Sequence, residues 1–514
     1  MLRYIAAALT AALAMPAAAQ DWAYAESNRF RVYSEGGEAA ARTMAVKLER
    51  LDDAMRLFTG VKPPPGPTPV NGKVTLYQFG KSDDIGKLAG QRGVYGFFIP
   101  RAGDSVAFVP LVADRISQEY SSPGARQSFE FNPGGIDPEA VLFHEYAHYF
   151  MYYHKPAAYP LWYSEGFAEL FGTLRLEDRG FALGEAPIHR RTELTMFDVS
   201  TDKMFDTRSQ MIDFPPYGHG WLAVSYLTFK PERKGQLAKY LIALNRGVEG
   251  KKAAQEAFGD LGNLQREFNA YRRERAMGMS AQYPSQSEPM VSVRKLSAAE
   301  AAAMPTHIKS SAGVTREEAR GIVKDARRIA TQYPDSLPVQ LMTLEAEFDA
   351  NDMGKADKRA VEILRAHPNS VEAHLFRAMI AMENAKLDPK FLANAREHYL
   401  AANKIDAEQP QALAGYYLSF RLANEAPPEN ALIALETAFG AAPFDSQIRR
   451  MLGHLLLLEN KDAQAKAVLG PLAYRPHANA RTRKLRDLLA GLDRGERQPL
   501  IDELAPSLKK KDAD

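Results

Sequence analysis

The amino-acid sequence predicts an α+β domain over residues 22–283 followed by an all-α helical array over 314–490. Three observations carry this prediction. Up to about Val109 the chain holds short strand-like alternations around one long helical pattern. After Asp137 the pattern turns mostly helical, the order of an α+β domain with its strands first. Beyond Val314 helical patterning is nearly unbroken and a proline dipeptide recurs. It falls at Pro334-Asp335, Pro368-Asn369, Pro410-Gln411, Pro443-Phe444 and Pro476-His477, with spacings of 34, 42, 33 and 33. A chain of 514 residues is also too long for one ordinary core.

The elements follow in order. Met1-Leu2-Arg3, the apolar stretch from Tyr4 to Met15 and the small residues Ala17-Ala18-Ala19 have the pattern of a removable export signal over 1–19. The stretch is too short to span a bilayer, and no later segment has a membrane-spanning apolar run, so an exported, periplasmic or secreted protein is expected. Arg29-Phe30-Arg31-Val32-Tyr33-Ser34 alternates like a half-buried strand. From Glu38 to Phe58, Met44, Leu48, Leu51 and Met55 share one helical face. Pro63 to Pro69 is a loop, and Val74 to Phe79 and Ser105 to Val109 are further strands. The polar, aromatic-poor residues 284–313 are expected as a linker. Each proline interval beyond holds two amphipathic helices, such as 338–350 and 354–366, with extra residues around Leu387-Asp388-Pro389 in the long one. Residues 491–514, ending in Lys509-Lys510-Lys511-Asp512-Ala513-Asp514, are expected as a solvated tail.

Composition narrows the chemistry. Lysine plus arginine (65) nearly cancels aspartate plus glutamate (63), so nothing requires a nucleic-acid partner. The absence of cysteine excludes disulfide scaffolds, zinc ribbons, iron–sulfur clusters and cysteine nucleophiles. Any metal must be held by histidine and carboxylate.

One constellation meets that requirement, His144-Glu145-Tyr146-Ala147-His148. It lies in a helix that starts with Asp137 as N-cap, Pro138 at the first position and Glu139 in the first turn. Four residues advance a helix by about 400°, so His144 and His148 project from one face within reach of one divalent ion. Glu145 lies beside them, turned toward the open coordination position. A catalytic zinc needs a third protein ligand, and two residues compete. His154 follows His144 by ten, but with Met151 rather than glycine between them the helix continues and turns it away from His148. Glu165 stands in Pro160-Leu161-Trp162-Tyr163-Ser164-Glu165-Gly166-Phe167-Ala168-Glu169, after a turn at Lys155–Pro160 that lets a second helix pack back on the first. Glu169, one turn beyond Glu165, could accept a hydrogen bond from the outer nitrogen of a liganding imidazole.

His-Glu-x-x-His followed by Trp-x-x-Glu-Gly-x-Ala-Glu resembles the gluzincin zinc metallopeptidases, especially the small bacterial peptidase-MA-like domains. The resemblance covers about residues 28–275 and implies a zincin-like fold with one Zn2+ on His144, His148 and Glu165. The spacing to the glutamate is two residues shorter than in gluzincin aminopeptidases. Pro216-Tyr217-Gly218-His219-Gly220 is similar to their Pro-Tyr-x-x-Gly, which implies Tyr217 as oxyanion stabiliser, with His219 as a rival. Ala257-Phe258-Gly259 and Phe268-Asn269-Ala270-Tyr271 resemble the closing helix of such domains. The aminopeptidase anchor Gly-x-Met-Glu-Asn is absent ahead of the zinc motif, because the one Met-Glu-Asn is Met382-Glu383-Asn384 in the repeats. An endopeptidase is therefore expected, with Glu145 as general base and strand 105–109 receiving an extended peptide by edge pairing. The region 314–480 resembles the tetratricopeptide repeat, with Ala356, Ala431 and Ala438 at its helix-packing positions, which implies a superhelix that binds substrate or a protein partner. The alternative is an exported repeat adaptor whose peptidase-like domain is catalytically silent.

Overall fold

The computed structural model describes residues 21–508 except 64–65, 70–71, 92, 113–136, 207–215, 275, 286 and 475–479. The export signal expected over 1–19 and the terminal Lys509–Asp514 lie outside the described residues. Strands β1 (Ala23–Glu26) and β2 (Phe30–Ser34) form an antiparallel pair. Helix α1 (Gly37–Thr59) then crosses the sheet to β3 (Val74–Lys81), which runs parallel to β2 with Val74 opposite Phe30. The stripe read from the sequence is the face α1 buries, with Met44, Leu48, Leu51 and Met55 all in the core. Helix α2 (Ser82–Leu88) leads to β4 (Phe97–Ile99) and β5 (Ser105–Val112). These two pair antiparallel, and β5 lies parallel to β3.

Two helices, α3 (Pro138–His154) and α4 (Leu161–Gly172), follow as an antiparallel hairpin joined by residues 155–160. Next come β6 (Arg175–Glu177), β7 (Gly180–Leu183) and the short helices α5 (Arg191–Met196) and α6 (Thr201–Met204). Helices α7 (Gly218–Phe229), α8 (Gln236–Asn245), α9 (Gly250–Phe258) and α10 (Leu261–Tyr271) complete the helical layer. Strand β8 (Met279–Gln282) pairs with β7, giving a small sheet of order β6-β7-β8 in a region read as mostly helical. These strands are three or four residues long and β8 joins from far along the chain, so local periodicity carries no trace of them.

Residues 284–313 are not a free linker. Strand β9 (Ser292–Lys295) pairs with β1 and gives the large sheet its order β4-β5-β3-β2-β1-β9. Helix α11 (Ala298–Ser311) follows, closed at its start by a capping box of Ser297 and Glu300 and burying Ala303, Met304 and Ile308. The stretch has few aromatics because its partners supply them: Met304 and Ile308 pack with Trp22, Tyr77 and Phe108 of the sheet.

The remaining helices stack in sequence order. They are α12 (Arg316–Gln332), α13 (Leu337–Asp349), α14 (Met353–Ala366), α15 (Val371–Asn384), α16 (Phe391–Ile405) and α17 (Pro410–Leu422). Then come α18 (Glu429–Ala441), α19 (Ser446–Leu458), α20 (Asp462–Ala473), α21 (Ala480–Leu492) and α22 (Gln498–Leu504). Ala356, Ala431 and Ala438 are fully buried between helices. Asn351, Asn424 and Asn460 hold φ of 61°, 57° and 61°, each one residue past the C-cap of α13, α17 or α19. The same left-handed turn thus recurs after α13, α17 and α19, though not after α15, at a residue type that tolerates it. The tail expected over 491–514 is shorter than that, because α22 buries Leu500 and Leu504, one helical turn apart, in the last apolar cluster. Among the described residues no helix is long and apolar enough to cross a membrane.

Candidate metal centre

Helix α3 starts as its sequence requires, with Asp137 accepting the Glu139 N–H at 2.9 Å and Pro138 at the first position. The helix runs unbroken through Met151, which places His144 and His148 one turn apart with ring centroids separated by 4.9 Å. Helix α4 packs back against it and delivers Glu165 between the two rings. Glu165 Oε2 lies 3.4 Å from His144 Nε2 and 3.5 Å from His148 Nε2. One ligand atom from each of the three residues falls within 4.8 Å of the others, so this group could hold a metal ion.

The chemistry of the donor set fits a cation. Glu165 is 0% exposed, and among the described residues neither of its carboxylate oxygens nor His148 Nε2 has a hydrogen-bond partner. A buried carboxylate without a hydrogen bond is costly unless positive charge answers it. Burial alone would raise its carboxyl, but His148 and His144 override that and hold it well below the usual range. Burial likewise opposes charging His144, and the surrounding Glu165 and Glu169 reverse this, drawing its imidazole up to about 8.

The outer nitrogens are supported from behind. His144 Nδ1 lies 3.6 Å from Glu169 Oε1, on the side expected from the sequence. His148 Nδ1 pairs with Ser164 Oγ at 3.3 Å. Glu169, 1% exposed, also accepts from Arg190 Nε at 2.8 Å and from His189 Nε2 at 2.9 Å. Against the cost of burial, His189, His144 and Arg190 bring the Glu169 carboxyl down to about 2. His189, Arg190 and Ser164 are contributions the sequence reading missed. The first two lie in a short turn after β7, where no periodicity ties a side chain to a direction. Ser164 was within reach, since it immediately precedes Glu165 on the same helix.

Glu145 is half-buried on the adjoining face of α3, and its carboxylate makes no hydrogen bond among the described residues. Tyr217 caps α7 beside this group. Its ring centroid is 6.2 Å from that of His144, and the Arg190 guanidinium sits 4.1 Å over the ring. Burial, followed by the Glu165 charge, pushes its phenol well above the ordinary range, so it stays protonated. His219 is turned away. Its Nε2 faces the carbonyls of Glu193 and Phe197, both at 3.2 Å, and it does not join the metal group. His154 ends α3 with its Nε2 3.2 Å from Arg56 Nη2, and burial together with Arg56 lowers it to about 4.

A pair of glycines sets the crossing that brings Tyr217 to the site. A Cβ on Gly166 would meet Gly220 O at 2.2 Å, and one on Gly220 would meet Trp162 O at 2.3 Å. The α4 and α7 backbones therefore touch directly behind Glu165.

Strand 105–109, expected to present a free edge, has none. β5 is paired with β3 on one side and β4 on the other, so β4 is the edge among the described strands. The β4 region lies along the face of α3 that carries Glu145. Gly96 approaches Val141, one turn before Glu145, and Phe98 packs on Tyr149, one turn after it, with centroids 5.0 Å apart. No protein-family model matches the chain, and no curated protein matches it.

Proposed function

We propose that this protein is a zinc-dependent endopeptidase. The observation that supports it most is the buried His144, His148 and Glu165 group, whose carboxylate has no hydrogen-bond partner among the described residues. His144, His148 and Glu165 would hold the ion, which when bound supplies a Lewis acid that acidifies water and polarises a peptide carbonyl. Glu145 takes the proton of the attacking water and passes it to the leaving amine nitrogen. The protonated Tyr217 phenol donates a hydrogen bond to the oxygen on which negative charge develops, and Arg190 over its ring fixes its orientation. Glu169 orients His144 and is itself clamped by His189 and Arg190. The open edge of β4 accepts the substrate as an extended strand, with backbone pairing in place of a free-amine anchor. The helical array contributes surface for the same protein substrate or for a protein partner.

Elemental analysis of the purified full-length protein tests the centre. About one zinc per chain is expected, lost in Glu165→Ala and retained in Glu145→Gln. Hydrolysis of an unfolded protein by the wild type and not by Glu145→Gln, a loss of about a thousandfold or more, would establish the role of the base. A zinc-free wild type after metal is supplied at neutral pH would sink the proposal.

A further inference from the structure

Phe444 and Asp445 stand in the turn between α18 and α19 of the helical array, yet both reach the elements that flank the metal group. The Phe444 ring centroid is 5.0 Å from that of Tyr149 and 5.5 Å from that of Tyr153, on the last turns of α3. Asp445 divides its two oxygens. Oδ1 caps α19, accepting the N–H groups of Gln447 at 2.8 Å and Ile448 at 3.0 Å. Oδ2 crosses to the β4–β5 turn and accepts the Ala102 N–H at 3.0 Å. The exchange runs both ways. Phe444 packs against the core of the α+β domain, while Ala102 is buried in an apolar cluster built from α17, α18 and α19. Gly103, with φ of +91°, approaches α17 so closely that a Cβ would meet Gln411 Oε1 at 2.8 Å.

The β4 strand needs such a hold. It is three residues long, half-buried, and among the described residues paired on one side only. A strand that short at a sheet edge opens readily unless its ends are tied down. It also borders the Glu145 face of α3 through Phe98 and Tyr149, so whatever fixes the β4–β5 turn fixes how β4 sits against that face.

We propose that Phe444 and Asp445 are positioning residues of the cleft, through which the helical array holds β4 in register against α3 for an extended peptide. The array is then a built-in wall of the peptide site. The proposal rests on the reading of β4 as the substrate edge given above.

The test uses the full-length Asp445→Asn variant. It keeps Oδ1 for the α19 cap and replaces Oδ2 with an amide NH2 that cannot accept from Ala102, so the array still folds. Amide hydrogen exchange over 96–108 needs neither substrate nor activity and is expected to speed about tenfold, while exchange over 23–34 is unchanged. Zinc content is expected to match the wild type, and on an unfolded-protein substrate the loss is expected in KM, about tenfold, rather than in kcat. Phe444→Ala is expected to share the KM effect and Phe444→Leu, which keeps an apolar contact, to restore most of it. Unchanged exchange in Asp445→Asn would overturn the hold on β4, and faster exchange with unchanged KM would overturn its role in the cleft. A wild type that binds zinc but hydrolyses nothing would remove the endopeptidase reading, while the exchange result still decides whether the array holds β4.

Discussion

Beneath the metal helix, Asp52 is wholly buried and accepts hydrogen bonds from Arg29, Arg56 and, at 2.7 Å, the Tyr146 hydroxyl. Tyr146 belongs to the His144–His148 turn but points to the opposite face, so this carboxylate ties the back of the metal motif to α1. Asp52→Asn removes the charge and leaves two guanidinium groups beside a neutral amide. Arg29 keeps Glu49 and Asp53, which places the expected loss toward the lower end of the range for a broken buried pair, about 3 kcal/mol. A lower denaturant midpoint at unchanged slope would record it. At this scale much of the candidate site was legible. His144, Glu145 and His148 follow from helical spacing alone, and Glu165 and Glu169 from the turn at 155–160. Choosing between Tyr217 and His219 was not possible from sequence, because a residue at a helix start takes its direction from the α4–α7 crossing. His189 and Arg190 were invisible for a similar reason, as a loop side chain has no period to place it.

That crossing is decided by glycine. The Gly166 neighbour at 2.2 Å is a backbone oxygen, which cannot rotate aside as a side chain could. Gly166→Ala is therefore expected to push α7 off α4, at a cost of about 3 kcal/mol, and to shift Tyr217 away from His144. A fall in Tm of several degrees with zinc content retained would be the outcome. A Tm within about one degree of wild type would show that the helices can part without penalty. Among the elements, α1 and β2 matched their sequence patterns because each buries a local, periodic face, and β3 and β5 because each is a short apolar run buried on both faces. β9 did not, since a four-residue strand with one apolar side chain owes its existence to β1, more than 260 residues away. The open edge was misplaced onto β5 for the same reason. Neighbouring strands are set by pairing across the chain, and the three residues of β4 leave hardly any alternation to read.

For the whole molecule, the junction between sheet and helical array is a line of titratable groups. The Tyr77 hydroxyl meets His307 Nε2 at 2.8 Å, and His307 Nδ1 meets Glu345 of α13 at 3.3 Å. One turn on, the half-buried Asp349 faces Glu345, Ser310 of α11 and Arg101 of the β4–β5 turn. Burial first, and Glu345 second, push its carboxyl up to about 7, which Arg101 and Ser310 reduce without reversing. The folded protein thus holds a proton at Asp349 more tightly than the unfolded chain does. Its contribution to stability is complete below the ordinary carboxylate range and is lost as pH rises to about 7. Asp349→Asn mimics the protonated form at every pH and should remove this dependence. Thermal unfolding of both proteins at pH 5, 6, 7 and 8 isolates the effect, because every other titrating group is common to the pair. The excess of the Asn variant's Tm over that of the wild type is expected to grow steadily from pH 5 to 7 and to level off above it. A difference independent of pH would mean that Asp349 is already ionised in the folded junction, with Arg101 as its effective counter-charge.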